Sequence, residues 1–270
     1  MSGAVASLRS LVAELRRDHP RFGAAFLVLL SVFVGGLFIP AWLPFVDWGA
    51  QVGELAVMAR WGEPGLGLQS YYQLQWLHGA TPLRLVLTPL AWLLGADLAM
   101  RVALATCLLL QALFAVSILR RRGLSPWPAV LVFPGLYSYP LLFGQLDVVV
   151  GATCVFGALA SWEKRHSTPG WRPALCWAGA CLAAALVEPF AGIVAVSALA
   201  FLTILQGLEG DSPRAALRAL GRLAVAALPA LLVVVIELLR AAQWPLDGDI
   251  NGRAPESQHL AHRLQLMLRY

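Results

Sequence analysis

Charge is what this chain has least of. Asp, Glu, Lys and Arg make up only 13% of its 270 residues, against roughly 25% in a soluble domain. Apolar residues make up 59%, and the mean hydropathy is +0.70. A soluble globular fold is thereby excluded in favour of an integral membrane protein. Cysteine is equally scarce. Cys107, Cys154, Cys176 and Cys181 all fall inside apolar segments, with no CxxC and no His/Cys pairing at zinc spacing. They read as small core residues rather than ligands. No P-loop, no GxGxxG after a strand, no GxSxG and no HExxH is present, which removes the common soluble-enzyme classes. The apolar runs carry almost no charge, so the ionisable series of a proton-coupled pump is missing. Nor do two matching broken helices mark a secondary transporter. A long internal repeat and a low-complexity tract are absent as well.

What the chain does have is a net charge of +5 and a pI near 9.4. In a soluble protein that balance would point to nucleic acid. Here the arginines lie in short clusters between apolar runs, the pattern of cytoplasmic loops, and no nucleic-acid partner is expected. Residues 1–22 place Val5, Leu8, Leu11, Val12 and Leu15 at helical spacing among charges, as an amphipathic helix on the inner leaflet would. The apolar stretch that follows is too long for a signal-peptide core and lacks a small-x-small cleavage site, so it reads as an uncleaved anchor.

The expected fold is an all-α polytopic helix bundle of about seven spans, within a range of six to eight, forming one membrane domain over 1–270. The spans are drawn at 23–44, 101–119, 126–143, 146–162, 173–187, 189–206 and 222–240. Residues 45–98 form a large first outer loop, the remaining spans occupy 99–240, and 241–270 is a polar tail. The stretch 81–96, TPLRLVLTPLAWLLGA, is short and carries Arg84 and Pro89. Placed as a juxtamembrane helix in the outer interface, it leaves most of the 20 Lys and Arg on the inner face. The N-terminus is then cytoplasmic, and the whole is a multi-pass protein of a bacterial inner membrane.

This topology brings the acidic residues to one face. Asp47 stands where the first span ends, in PFVDWGAQVGE. Asp147 opens the fourth span in FGQLDVVVGA, just after Gln145. Glu188 lies in the reversal LVEPFAG. Each has two readings. Asp47 is a helix-end marker or a functional carboxylate at the hydrocarbon edge. Asp147 is a helix cap or a site residue. Glu188 is a helix-start residue ahead of Pro189 or the partner of Arg101. The outer loop adds Glu54, Arg60 and the stretch YYQLQWLHG with Tyr72, Trp76 and His78, either an interfacial aromatic belt or a surface for stacking on sugars.

Read in order, the anchor, the acidic exit, the long Tyr/Trp loop and the juxtamembrane helix are followed by Arg-Arg-Arg-Gly, a Gly-Gln-x-Asp step and a Glu-Pro reversal. Over residues 20–210 this resembles the N-terminal half of the GT-C superfold, the membrane glycosyltransferases that use polyprenyl-phosphate sugars, and mannosyltransferase-like members in particular. The resemblance implies transfer of a sugar from a polyprenyl-phosphate donor on the outer face, by inverting displacement. Asp47 matches the family's general base and Asp147 its second-loop acid, a position that helps hold a divalent metal or orient the acceptor. A metal, if used, would fall to Asp47 and Asp147; no other cofactor is implied. Arg84 lies where relatives place a cation on the lipid phosphate, with Arg60 and Arg101 as further candidates. The chain departs from the family in being shorter, in following Asp47 with Trp-Gly instead of a second acid, and in carrying Glu188 where relatives show a basic residue. A non-catalytic scaffold within an envelope assembly, with a membrane protein partner completing the bundle, is the alternative; a small-molecule or lipid transporter ranks behind both.

Overall fold

A computed structural model describes residues 20–40, 43, 45–70, 81–136, 145–167, 171–209 and 213–243. Among these the only regular elements are helices, and no strand occurs. Its elements are α1 (Pro20–Gly36), α2 (Trp48–Ala59), α3 (Thr81–Leu94), α4 (Ala96–Arg121), α5 (Val132–Leu136), α6 (Leu146–Ser167), α7 (Trp171–Val187), α8 (Pro189–Glu209) and α9 (Pro213–Gln243). Short 3-10 turns occupy Pro64–Leu66, Leu68–Ser70 and Trp127–Leu131.

Four helical stretches are long and apolar enough to cross a membrane: Ala96–Arg121, Leu146–Glu163, Pro189–Gln206 and Leu217–Leu239. They coincide with four of the expected spans. Three shorter apolar helices, Pro20–Gly36, Thr81–Leu94 and Leu175–Val187, fall on the stretches 23–44, 81–96 and 173–187 but are below that length. The first helix ends at Gly36, well before residue 44, because the Gly35-Gly36 pair and Pro40 cannot sustain it. The expected 126–143 span is different again. Pro126 and Pro128 remove backbone donors, and the described part is a 3-10 turn running into the five-residue α5. The 45–98 segment is a loop in name only, since α2 and α3 occupy much of its described length.

Side-chain contacts fix the helix directions. Gln111 of α4 meets Val149 and Thr153 of α6, and Arg122 just past α4 meets Glu163, so α4 and α6 run parallel. The chain must therefore return between them. It does so beside α1, where Phe22 packs on Trp127 and both Phe26 and Phe33 pack on Phe133. Trp162 meets Trp177, and Gly151 lies against Glu188 and Ala191, so α6 and α7 are antiparallel. The brief connections to α8 and α9 continue the alternation. One end of the bundle thus gathers the starts of α4, α6 and α8; the other gathers the starts of α1, α7 and α9.

Two apolar clusters hold this arrangement. One joins α1 to α5 with the start of α6, around Phe22, Trp48, Leu55, Leu104, Leu108 and Phe133. The second joins α6 to α9, around Trp162, Trp177, Leu199 and Leu223. Glycine permits the tightest crossings. A Cβ on Gly192 would lie 2.6 Å from the Cβ of Ala185, and one on Gly151 would lie 2.7 Å from that of Ala191. Small residues let helix backbones approach where lipid gives no hydrophobic drive between helices.

Candidate functional site

The end where α4, α6 and α8 begin carries most of the sequence-predicted residues, arranged as three separate polar groups. The first centres on Arg101, which is only 4% exposed. Its Nε donates to Asp97 Oδ2 at 2.6 Å, and its Nη1 donates to the carbonyls of Leu37 (2.6 Å) and Pro40 (2.8 Å). Those carbonyls lie just past the end of α1, where backbone acceptors lose their helical partners. Asp97 completes the group by accepting the Trp48 indole N–H on Oδ1 at 2.8 Å. Asp97, one turn away on the same helix, is a carboxylate that Arg101 engages.

The second group joins α2 to α3. Arg84 is half-buried, pairs with Glu54 and donates from Nη2 to Gln51 Oε1 at 3.0 Å. Its Nε is buried and has no hydrogen-bond partner among the described residues. Two residues picked independently from the sequence, Glu54 and Arg84, are thus each other's counter-ions. Arg60 pairs with Glu63 in the exposed turn after α2, with Nε to the two carboxylate oxygens at 3.0 and 3.1 Å and Nη2 to Oε2 at 2.7 Å. The hydrogen bond from Arg60 holds the Glu63 carboxyl below its ordinary pKa.

The third group lies at the start of α6. Asp147 sits in the first turn, and its Oδ1 is buried with no hydrogen-bond partner among the described residues. Gly151 is one turn further along the same face, and against it lies Glu188, whose Cβ would be 3.2 Å from a Cβ at position 151. Glu188 bridges α7 and α8: its N–H donates to Ala184 at 2.8 Å, its carbonyl accepts from Gly192 at 3.2 Å, and Oε1 accepts the Phe190 N–H at 3.4 Å. Gln145 contributes a backbone carbonyl to the first turn, accepting from Val149 at 3.3 Å. Asp147 and Glu188 thus stand at the same end of the bundle, on either side of one turn of α6.

Asp47 occupies the N-cap position of α2 but makes no side-chain cap bond, and it is exposed. Its neighbour Trp48 is the buried residue of the pair. Tyr72, Trp76 and His78 lie outside the described residues. No group of three or more His, Cys, Asp or Glu side chains capable of holding a metal occurs among the described residues.

Two polar contacts were not singled out in the sequence. Gln111 is buried in α4 and donates to Val149 O (3.1 Å) and Thr153 Oγ1 (2.8 Å) of α6. A lone glutamine within an apolar run is the signal that marks it. At the opposite end Glu163 is 9% exposed and accepts from Arg122, Nε to Oε1 at 3.0 Å. Beside Lys164 and Arg165 it reads as part of a solvated loop, so its burial is invisible in one dimension.

Comparison with family models, with curated proteins and with solved structures gives no match.

Proposed function

We propose that this chain is a GT-C-like membrane glycosyltransferase that moves a sugar from a polyprenyl phosphate to an acceptor hydroxyl at the end holding Asp147 and Glu188. That end faces the outside of a bacterial inner membrane. The observation that carries the reading is the buried Oδ1 of Asp147, without a hydrogen-bond partner among the described residues, one turn of α6 before the Gly151 on which Glu188 packs. In the reaction the acceptor O–H gives its proton to a carboxylate as its oxygen bonds to the anomeric carbon. The bond from that carbon to the phosphate oxygen breaks, and polyprenyl phosphate departs with the electron pair. Asp147 is placed as the base in preference to Asp47 because its Oδ1 is buried at the start of α6, whereas Asp47 is exposed. Arg84, half-buried and paired with Glu54, is the cation that the resemblance assigns to the leaving phosphate.

The alternative is a non-catalytic scaffold completed by a membrane partner. It is favoured by Arg101, whose Nε and Nη1 are engaged by the protein itself. The discriminating experiment is sugar transfer from a polyprenyl-phosphate donor in membranes containing wild type, Asp147→Asn or Asp47→Asn. Transfer lost in Asp147→Asn and kept in Asp47→Asn supports the assignment. Transfer kept in Asp147→Asn removes Asp147 as base, and a wild type inert toward such donors leaves the scaffold.

A further inference from the structure

The two ends of the bundle differ sharply in charge. Among residues with described side chains, one end holds Arg21, Arg120, Arg121, Arg122, Arg218 and Arg222 against the single acid Glu163, which is already paired with Arg122. The other end holds Asp47, Glu54, Glu63, Asp97, Asp147, Glu188 and Glu237 against Arg60, Arg84 and Arg101. At the arginine end the segment that follows Arg122 packs against the start of α1 through one tryptophan. Trp127 is 47% exposed, and its ring meets Phe22 edge-on at 5.6 Å. Phe22 follows Arg21 directly. From the other side, Gly123 at φ 67 turns the chain back after Arg122, with Leu124 N–H donating to Leu119 O at 2.9 Å. Arg121 and Arg122 are exposed beside that turn, and Arg21 is exposed at the same end, at the start of α1.

We infer that this end binds the headgroups of anionic phospholipids, with Arg21, Arg121 and Trp127 as the principal contacts. The guanidinium fork matches a phosphodiester, and an indole with one apolar and one polar edge belongs at the level between headgroup and acyl chain. Lipid, not soluble polyanion, is the source the fold favours. Leu124 and Leu131 beside the patch are exposed apolar residues, and α4 runs from the patch directly into a span-length apolar stretch. The patch therefore lies where headgroups are, and polybasic segments next to spans attract anionic lipid in this way.

The test uses the purified full chain in phosphatidylcholine nanodiscs doped with phosphatidylglycerol, read by thermal unfolding and by lipid titration. Phosphatidylglycerol should raise the unfolding temperature progressively as its content rises, as a ligand of the folded state does. Added phosphatidylcholine and inorganic phosphate should not. Arg21→Gln and Arg121→Gln should each weaken phosphatidylglycerol binding about five-fold, and salt should weaken it further. Arg222→Gln, at the same end, provides a second exposed site if either variant expresses poorly, and Arg60→Gln at the far end should bind as wild type does. Equal stabilisation by phosphatidylcholine, an equal shift with inorganic phosphate, or unchanged binding in the arginine variants would overturn the inference.

Discussion

Arg101 takes up the backbone carbonyls that α1 leaves behind when it ends. Replacing it with Met keeps the apolar stem but strands the carbonyls of Leu37 and Pro40 and takes the cation from Asp97, which still accepts the Trp48 indole N–H. Because Asp97 is itself 42% exposed, the ion pair is partly screened, and the larger loss comes from the buried carbonyls. Arg101→Met should cost about 2 kcal/mol or more, measured by denaturant unfolding in detergent, with Trp48 fluorescence reporting the local change. The opposite extreme is Arg60 with Glu63, a solvent-exposed pair. Its carboxyl should titrate by NMR below an ordinary glutamate, and Arg60→Gln should return it to the usual range. A depressed folded pKa adds stability above the unfolded value and loses it as pH falls through the folded one, so any contribution from this pair disappears only in acid. Gly123 carries a third residue-level demand. Its φ of 67 is one that an L-residue adopts reluctantly, and Gly123→Ala should destabilise by about 1–2 kcal/mol in thermal unfolding.

Between elements, the packing depends on small residues and one polar bridge. Gly192 and Gly151 stand where any side chain would meet neighbouring atoms under 3 Å away. Gly192→Leu should therefore force α7 and α8 apart and lower stability by about 1–3 kcal/mol, or abolish folded expression. Gly151→Ala carries a second consequence, because it pushes against the Glu188 side chain as well as Ala191. In the proposed reaction it should reduce transfer more than stability, which paired activity and unfolding measurements would separate. Gln111 joins α4 to α6 through Thr153 and Val149. Such bonds contribute about 0.6 kcal/mol each on average in membrane helices, so Gln111→Leu should be mild where Gly192→Leu is severe.

Over the whole molecule, the parallel run of α4 and α6 makes the chain return between them, and the aromatic contacts with α1 trace that return. The result is a bundle with an arginine end and a carboxylate end. Single cysteines introduced at Arg121 and Asp47 should react with membrane-impermeant maleimide from opposite sides, Asp47 from outside the cell and Arg121 only after permeabilisation. Labelling of both from one side would refute the orientation. This polarity was legible in the chain order of basic clusters and acidic turns.

The sequence by itself determined the all-helical class and the positions of the four span-length helices, because an apolar run with no polar interruption has few ways to satisfy its backbone in a membrane. It also marked Asp147, Arg84 and Arg101 as charges at the edges of apolar runs. Only the tertiary structure decided what those charges do. Arg101 turned inward to carbonyls some 60 residues earlier in the chain, Arg84 paired with Glu54, and the buried partner at the exit from α1 proved to be Trp48 beside an exposed Asp47. Hydropathy follows the chain one residue at a time, whereas the counter-ion of a buried charge is set by which helix ends the fold brings within about 3 Å. No one-dimensional pattern records that distance.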